Sequence, residues 1–533
     1  MLNYPTVTPN PTAEALSEPL KLTPSTAGMT TKVVKGSLWT LAGQVAPLAI
    51  SLVTTPFTIR LLGAEGYGVL ILVGLIPTYL GFADFGMSMV STKFGSEAYA
   101  QGDTEKEGRI VRTAALIALL TSVPVAAMVM IFAASIVGLF NVPADYIADA
   151  TLALRLASAT FVINFFCGIF NTPQLARLRM DLNTMVNAVP RILGLIATPI
   201  IIYLGFGVVG AITILLIVSV AILAGHLIFS RRLLPHLSGS TIDKTMLRPM
   251  VKLGISVVFL GLAGLVLFNV EKGILAATMP VKVLAYYSVA MTLAGMMILL
   301  SNNIIQSLVP AFSQLSGTES VTHLRSLFIR IVKLSLIILI PAAAFFCLTV
   351  RDFLTIWIGE EFALESATPF FILLTGLLFS VPGYVPYSLL MAQGRANAIA
   401  KLYWIEIVPY ILLVLVLTLK FGIIGAAAAW SARVAFDGTV FFLLIKRSSK
   451  FSVDLIEDRL AWVIASVLVY LPVVTLSLLG YHALSTMSIS IFIIATGIYS
   501  ALIWKRALTS EERGWIKSSV GQRAAIIGFL RLC

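Results

Sequence analysis

The hexapeptide FGVVGA, Phe206 to Ala211, recurs as FGIIGA at Phe421 to Ala426, and each copy occupies a tight turn just ahead of a long apolar run. Two further matches keep the same order. NAVPRIL, Asn187 to Leu193, falls on EIVPYIL, Glu406 to Leu412, with Pro190 over Pro409, and Tyr67-Gly68-Val69 falls on Tyr287-Ser288-Val289. The offset stays near 215 to 220 residues throughout, the signature of a duplicated membrane scaffold. If each copy holds six helices, an even number, both run in the same direction. They are then related by a pseudo-two-fold axis along the membrane normal, with a central cavity between them.

Composition supplies the solvent. Of 533 residues, 58% are apolar and 12% charged, with a mean hydropathy of +0.97; a soluble domain carries about 45 to 50% and about 25%. Apolar segments of about twenty residues, each enough to cross a hydrocarbon layer roughly 30 Å thick, recur from Gly36 almost to Arg506. The expected spans are Gly36–Ile59, Val69–Val90, Thr113–Ile136, Thr151–Leu175, Ile192–Leu204 and Val208–Phe229, then Leu253–Met279, Tyr286–Leu308, Leu334–Val350, Thr368–Met391, Leu402–Leu419 and Ile423–Leu444, with Ala461–Leu479 and Ile489–Trp504 appended. The fold class is therefore an all-α polytopic membrane protein of about 14 transmembrane helices, two parallel six-helix bundles plus two C-terminal helices.

Domain limits follow: a disordered, Pro-, Thr- and Ser-rich cytoplasmic tail over 1–35, bundles over 36–230 and 253–447, a basic cytoplasmic linker over 231–252, the last two helices over 448–505, and a basic cytoplasmic tail over 506–533. Lys and Arg collect on the cytoplasmic side of inserted helices. Of the 37 basic residues, 30 fall on the side of the termini and five (Arg60, Lys272, Lys282, Arg351 and Lys420) on the other, leaving Arg155 and Arg433 within spans. Both termini are thus expected in the cytoplasm, and the chain in the inner membrane. The same bias accounts for the net charge of +12 without nucleic acid as a partner; the Arg231, Arg232, Lys244, Arg248 and Lys252 cluster marks topology, with a contribution from anionic membrane lipids. Three cysteines without paired spacing indicate neither disulfide nor metal site.

Ionisable side chains inside a span cost about 2.5 to 3.5 kcal/mol on insertion scales, so they face water or a partner. Arg433 and Asp437 sit i, i+4 and can pair along one helix face. Arg60 and Arg155 lie near the outer surface, where they either snorkel or touch substrate. Glu271 and Lys272, about 100° apart on one helix, cannot simply neutralise each other. Asp84, between Gly81 and Gly86, either carries a cation or caps a helix; Glu406 is a further intramembrane acid. The longest outer connections, Val137 to Ala150 and Arg351 to Ala367, hold no His and no nucleophile paired with a base, and no GxxxxGK[ST] loop exists. No cofactor is expected, and an enzyme such as a membrane polymerase or ligase is disfavoured.

These residues resemble the polysaccharide flippases, the Wzx-type O-antigen and teichoic acid exporters of the multidrug/oligosaccharidyl-lipid/polysaccharide exporter superfamily. The likeness rests on TPFTIRLLGAEGYG (Thr55–Gly68), ADFGMS (Ala83–Ser88) with QGD (Gln101–Asp103), LVPAFSQL (Leu308–Leu315), IWIGEEF (Ile356–Phe362) and AQGRAN (Ala392–Asn397). The resemblance implies export of an undecaprenyl-diphosphate-linked oligosaccharide from the cytoplasmic to the periplasmic leaflet by alternating access, driven by an ion gradient or the membrane potential. On that reading Lys272, Arg60, Arg155 and Arg433 bind the substrate's diphosphate, while Glu271, Asp84 and Asp437 carry a coupling ion, H+ or Na+. The lipid-linked oligosaccharide, membrane lipids and other polysaccharide assembly proteins are the expected partners. The alternative is a cation-coupled exporter of drugs or small molecules from the same superfamily.

Overall fold

A computed structural model describes residues 24–239, 241–316, 321–448, 459–483, 485–508, 510 and 513–514. The described residues are helical almost throughout: α1 Pro24–Tyr79, α2 Met87–Ala100, α3 Thr104–Ile131, α4 Ala133–Val137, α5 Ala144–Phe170, α6 Thr172–Ala176, α7 Met180–Ile201, α8 Gly207–Leu233, α9 Lys244–Thr278, α10 Val281–Ser316, α11 Val321–Trp357, α12 Glu360–Ala392, α13 Ala396–Ser448, α14 Arg459–Leu478 and α15 Thr486–Leu502. Among them nine helical stretches are long and apolar enough to cross a membrane, fewer than the fourteen spans expected. The difference has a local cause. Trp39–Tyr79, Met180–Leu233 and Ala396–Arg447 are each longer than one crossing, and each contains a glycine at positive φ: Gly63 at 69°, Gly205 and Gly207 at 93° and 51°, and Gly422 at 58°. Val281–Met296 and Ser466–Ser477 are shorter apolar helices.

Helix ends shift some expected limits. Helix α1 begins at Pro24, so the end of the 1–35 tail is helical; residues 1–23 lie outside the described residues. The 231–252 connection is shorter than expected, since α8 runs to Leu233 and α9 starts at Lys244. Its first cap is Asp243, whose carboxylate accepts from the Thr245 and Met246 amides.

The repeat is written into the backbone. Gly207 (φ 51°, ψ −142°) and Gly422 (φ 58°, ψ −135°) take nearly the same strained conformation at equivalent places, one that L residues avoid. A second pair appears at the turns after α6 and α12. Leu178 N–H donates to Leu175 O and Arg179 N–H to Gln174 O; Gly394 N–H donates to Met391 O and Arg395 N–H to Leu390 O. Both turns pass through the left-handed region, Leu178 at φ 54° and Gly394 at φ 71°. These two pairs sit 215 and 216 residues apart. The Pro190–Pro409 match, at 219, is therefore about one helical turn out of register with them.

The two halves are tied together at the end that carries the α9–α10 turn. There Gly68 abuts the Val281 carbonyl so tightly that a Cβ would lie 2.2 Å from its oxygen. Asn141 Nδ2 donates to Ala277 O (3.2 Å) and Met279 O (3.4 Å), and Val281 N–H donates to Asn141 O (3.3 Å). Trp357 Nε1 donates to Leu52 O at 2.7 Å. The cores interlock here: Ile59 joins the cluster of the second half, and Ala276, Val281 and Leu284 join that of the first.

Toward the opposite end, α9 bridges the halves. Its Met250 packs in the α2–α3 cluster, and a Cβ on Gly254 would sit 2.2 Å from Phe85 O. Its Leu267 instead packs with Tyr410, Val414 and Ala429 of α13. The appended helices buttress the second half: Tyr470 on α14 donates to Phe371 O (3.1 Å), and Tyr499 on α15 donates to Leu336 O (3.1 Å).

Candidate functional site

The break at Gly422 folds α13 back on itself, so Glu406 and Tyr410 before it face Arg433 and Asp437 beyond it. Helix α12 approaches this hairpin on glycine: a Cβ on Gly383 would lie 2.8 Å from Gly438 Cα, and one on Gly376 would lie 2.7 Å from Ser431 Cα. Small residues at such contacts let helices close up where lipid supplies no hydrophobic drive. Helix α9 covers the remaining side with Phe268 and Glu271.

The result is a buried charged cluster. Arg433 Nη1 donates to Asp437 Oδ2 at 3.0 Å, and its guanidinium lies 5.3 Å from the ring centroids of both Phe268 and Tyr410. The Tyr410 hydroxyl donates to Glu271 Oε2 at 3.2 Å. Glu271, Glu406, Arg433 and Asp437 are 0, 6, 5 and 8% exposed. Several polar atoms lack a partner, namely Arg433 Nε and Nη2, Asp437 Oδ1, Glu271 Oε1 and both Glu406 oxygens. A cavity of about 30 Å³ opens against them, lined by Ser380, Tyr384, Tyr403, Arg433 and Asp437 among others. It is large enough for one water.

The seven residues singled out from sequence do not form one site. Glu271, Arg433 and Asp437 come together. Lys272 is half-buried on the other flank of α9, with Nζ 3.5 Å from Asn269 Oδ1. There Tyr79 of α1 donates to Asn269 O at 2.5 Å, so this flank meets the first half. Arg60 is exposed and spans the seam, donating to Ile356 O (2.8 Å), Trp357 O (3.1 Å) and Ile358 O (3.4 Å). Arg155 donates to Met130 O (3.3 Å) at the end of α3. Both guanidiniums thus sit on the carbonyl-rich C-terminus of a helix, where a cation is favoured.

Asp84 is a cap. It is 6% exposed; Oδ1 accepts from Gly86 N–H (2.7 Å) and Oδ2 from the Ser88 hydroxyl (3.0 Å), opening α2 after a break in which Phe85 and Gly86 both have positive φ. It borders a cavity of about 180 Å³ between this break and Val257–Leu265 of α9. Sequence reasoning gave Glu406 no role and missed Tyr410 and Phe268 altogether. The signal for the first two was the EIVPYIL repeat, which places Glu406 and Tyr410 one helical turn apart. Among the described residues, no group of three or more His, Cys, Asp or Glu side chains is arranged to hold a metal ion.

Apolar helices, glycine-broken hairpins and a duplicated backbone define a multi-pass α-helical membrane protein built from two similar helical halves. Residues 33–316 match the polysaccharide biosynthesis protein family, and the chain belongs to it. A Shigella flexneri protein with the provisional name O-antigen transporter is 22% identical over 425 residues, covering 78% of this chain and 98% of its own length. The fold is that of a solved structure titled lipid II flippase MurJ, inward closed conformation (TM-score 0.64, 14% identity, 89% of this chain and 99% of that one). It is also that of an inward-facing multidrug resistance MATE family transporter of the MOP superfamily (TM-score 0.60, 16% identity, 75% and 96%).

Proposed function

We propose that this chain is a flippase that moves an undecaprenyl-diphosphate-linked oligosaccharide from the cytoplasmic to the periplasmic leaflet of the inner membrane. The observation that carries the reading is the two-half fold, tied across the end at the α9–α10 turn, in a chain of the polysaccharide biosynthesis protein family. A scaffold whose halves rock about a central site suits alternating access, and a seam closed on one side is one of the two states that such a cycle needs. Both termini lie in the cytoplasm on this reading, as the basic asymmetry requires.

Lys272 is the cation placed to meet the diphosphate, because it lies where α9 faces the first half and an ammonium makes charge-assisted bonds to phosphate oxygens. Arg60 and Arg155 hold helix ends, and Arg433 is committed to Asp437. The sugar crosses in the hydrated space between the halves while the prenyl chain stays in lipid. An ion gradient or the membrane potential drives the cycle, with the cluster around Arg433 and Asp437 as the coupling element.

Deletion of the protein, followed by mass analysis of prenyl-linked intermediates in each leaflet, tests the reading. Accumulation in the cytoplasmic leaflet is the expected result; normal distribution with heightened drug susceptibility would favour the drug exporter that the MATE-like fold also accommodates.

A further inference from the structure

Glu406 is a buried carboxyl on the α13 hairpin that no other group of the site serves. It is 6% exposed, neither oxygen receives a hydrogen bond from the protein, and its carboxyl faces that of Asp437. Two carboxyls facing one another away from water cannot both be ionised. Asp437 holds the guanidinium at 3.0 Å; Glu406 holds no cation. We propose that Glu406 is kept as the neutral acid, sharing its proton with Asp437, and that Arg433 is a pivot which a second proton turns from Asp437 on α13 to Glu271 on α9.

The geometry around Arg433 supports the second position as well as the first. Its Nε and Nη2 have no acceptor, and Glu271 Oε1 has no donor. The guanidinium already lies against the Tyr410 ring, whose hydroxyl holds Glu271 Oε2. Phe268 and Tyr410 give it flat surfaces to slide on, and the adjoining cavity has room for the water that would replace it at Asp437.

The remaining titratable groups leave the charge count simple. Tyr384 and Tyr387 of α12 and Tyr403 of α13 surround the Arg433–Asp437 end. Tyr79 of α1, Tyr287 of α10 and Lys272 surround Glu271. Apart from Lys272 these are phenols, neutral at ordinary pH. With Glu406 protonated, the set of Glu406, Asp437, Arg433 and Glu271 carries one net negative charge. One proton from water forms an O–H bond on Asp437 and brings it to zero, with Arg433 paired to Glu271. Nothing is oxidised or reduced. Because α9 contacts both halves, moving the cation onto α9 alters the contact on which their relative position depends; only this last step rests on the flippase reading.

Infrared spectroscopy of the purified full-length protein in nanodiscs at neutral pH tests the acid. A protonated-carboxyl band is expected in the unmodified chain, shifted by 13C-carboxyl glutamate labelling and lost in Glu406→Gln, with the melting temperature unchanged because a neutral side chain replaces a neutral one. A band that ignores the label, or persists in folded Glu406→Gln, overturns the assignment. For the pivot, Asp437→Asn and Glu271→Gln are combined. The double variant should lose more melting temperature than the two single losses together, since Arg433 is then deprived of both partners; simple additivity overturns the pivot. A chain that passes both tests yet moves no lipid-linked glycan contradicts the flippase reading and leaves the proton site standing.

Discussion

Removing the clasp at the α9–α10 turn should open the seam by an amount that the structure sets. Asn141→Ala deletes two side-chain hydrogen bonds to the α9–α10 turn, at 3.2 and 3.4 Å, and Arg60→Ala deletes the guanidinium from the last carbonyls of α11. Exposed hydrogen bonds contribute about 0.5 to 1.5 kcal/mol each, and a cation at a helix C-terminus about 0.3 to 1 kcal/mol. The pair therefore stabilises the closed seam by about 2 kcal/mol, which is roughly a 30-fold change in the open fraction. Val281 is 1% exposed within the seam. In a background with Cys167, Cys347 and Cys533 replaced by serine, Val281→Cys should react with an impermeant maleimide roughly 30-fold faster when both substitutions are present, in step with the open fraction. An unchanged rate in folded protein would refute the reasoning, because the seam would then be held by something other than these contacts.

Lys272→Ala should abolish glycan export at near-normal abundance while Lys272→Arg keeps part of it, since charge survives with altered geometry; normal export by the alanine variant in the leaflet analysis would make Lys272 a structural residue. Leu178→Gly should raise stability by roughly 1 kcal/mol, the cost of a left-handed L residue, and Gly394→Leu should lower it similarly; both are read by denaturant titration in detergent. Asp243 is held below the usual carboxylate range, first by the Thr245 hydroxyl, then by the Thr245 and Met246 amides and the Arg109 charge. Its contribution to the start of α9 is thus present above the unfolded value of about 3.9 and is lost as pH falls through the lower folded value. Protection of the amides at residues 244–248, with the pH dependence of the intrinsic exchange rate divided out, should fall on acidification in the unmodified chain and stay flat in Asp243→Asn.

Much of the fold was legible because lipid imposes a simple rule: every backbone group must be satisfied within its own segment, so apolar length reads as helix. The duplication was legible at Gly207 and Gly422, where positive φ makes glycine the residue of choice and preserves the match. It was misread at Pro190 and Pro409, which lie inside α7 and α13; a membrane helix tolerates an interior proline at several positions, so the residue fixes no register. Leu178 hid its equivalence to Gly394 for the opposite reason, a non-glycine residue occupying a left-handed turn.

The site was less legible. The Arg433–Asp437 pair follows from i, i+4 spacing, but Glu271 joins it only because α9 packs on the α13 hairpin, a tertiary fact that no local pattern encodes. Asp84 shows the converse. Its sequence left a bound cation and a helix cap both open; the fold makes it a cap, with Gly86 supplying the amide.

The central claim is translocation itself. The purified chain, reconstituted into vesicles carrying a fluorescent undecaprenyl-diphosphate oligosaccharide and given an ion gradient or membrane potential, should move the glycan between leaflets so that an external quencher or glycosidase reaches the pool that was protected. Protein-dependent loss of protection, diminished in Lys272→Ala, is the predicted result. Full retention of the protected pool with folded, correctly inserted protein under every imposed gradient would contradict the account.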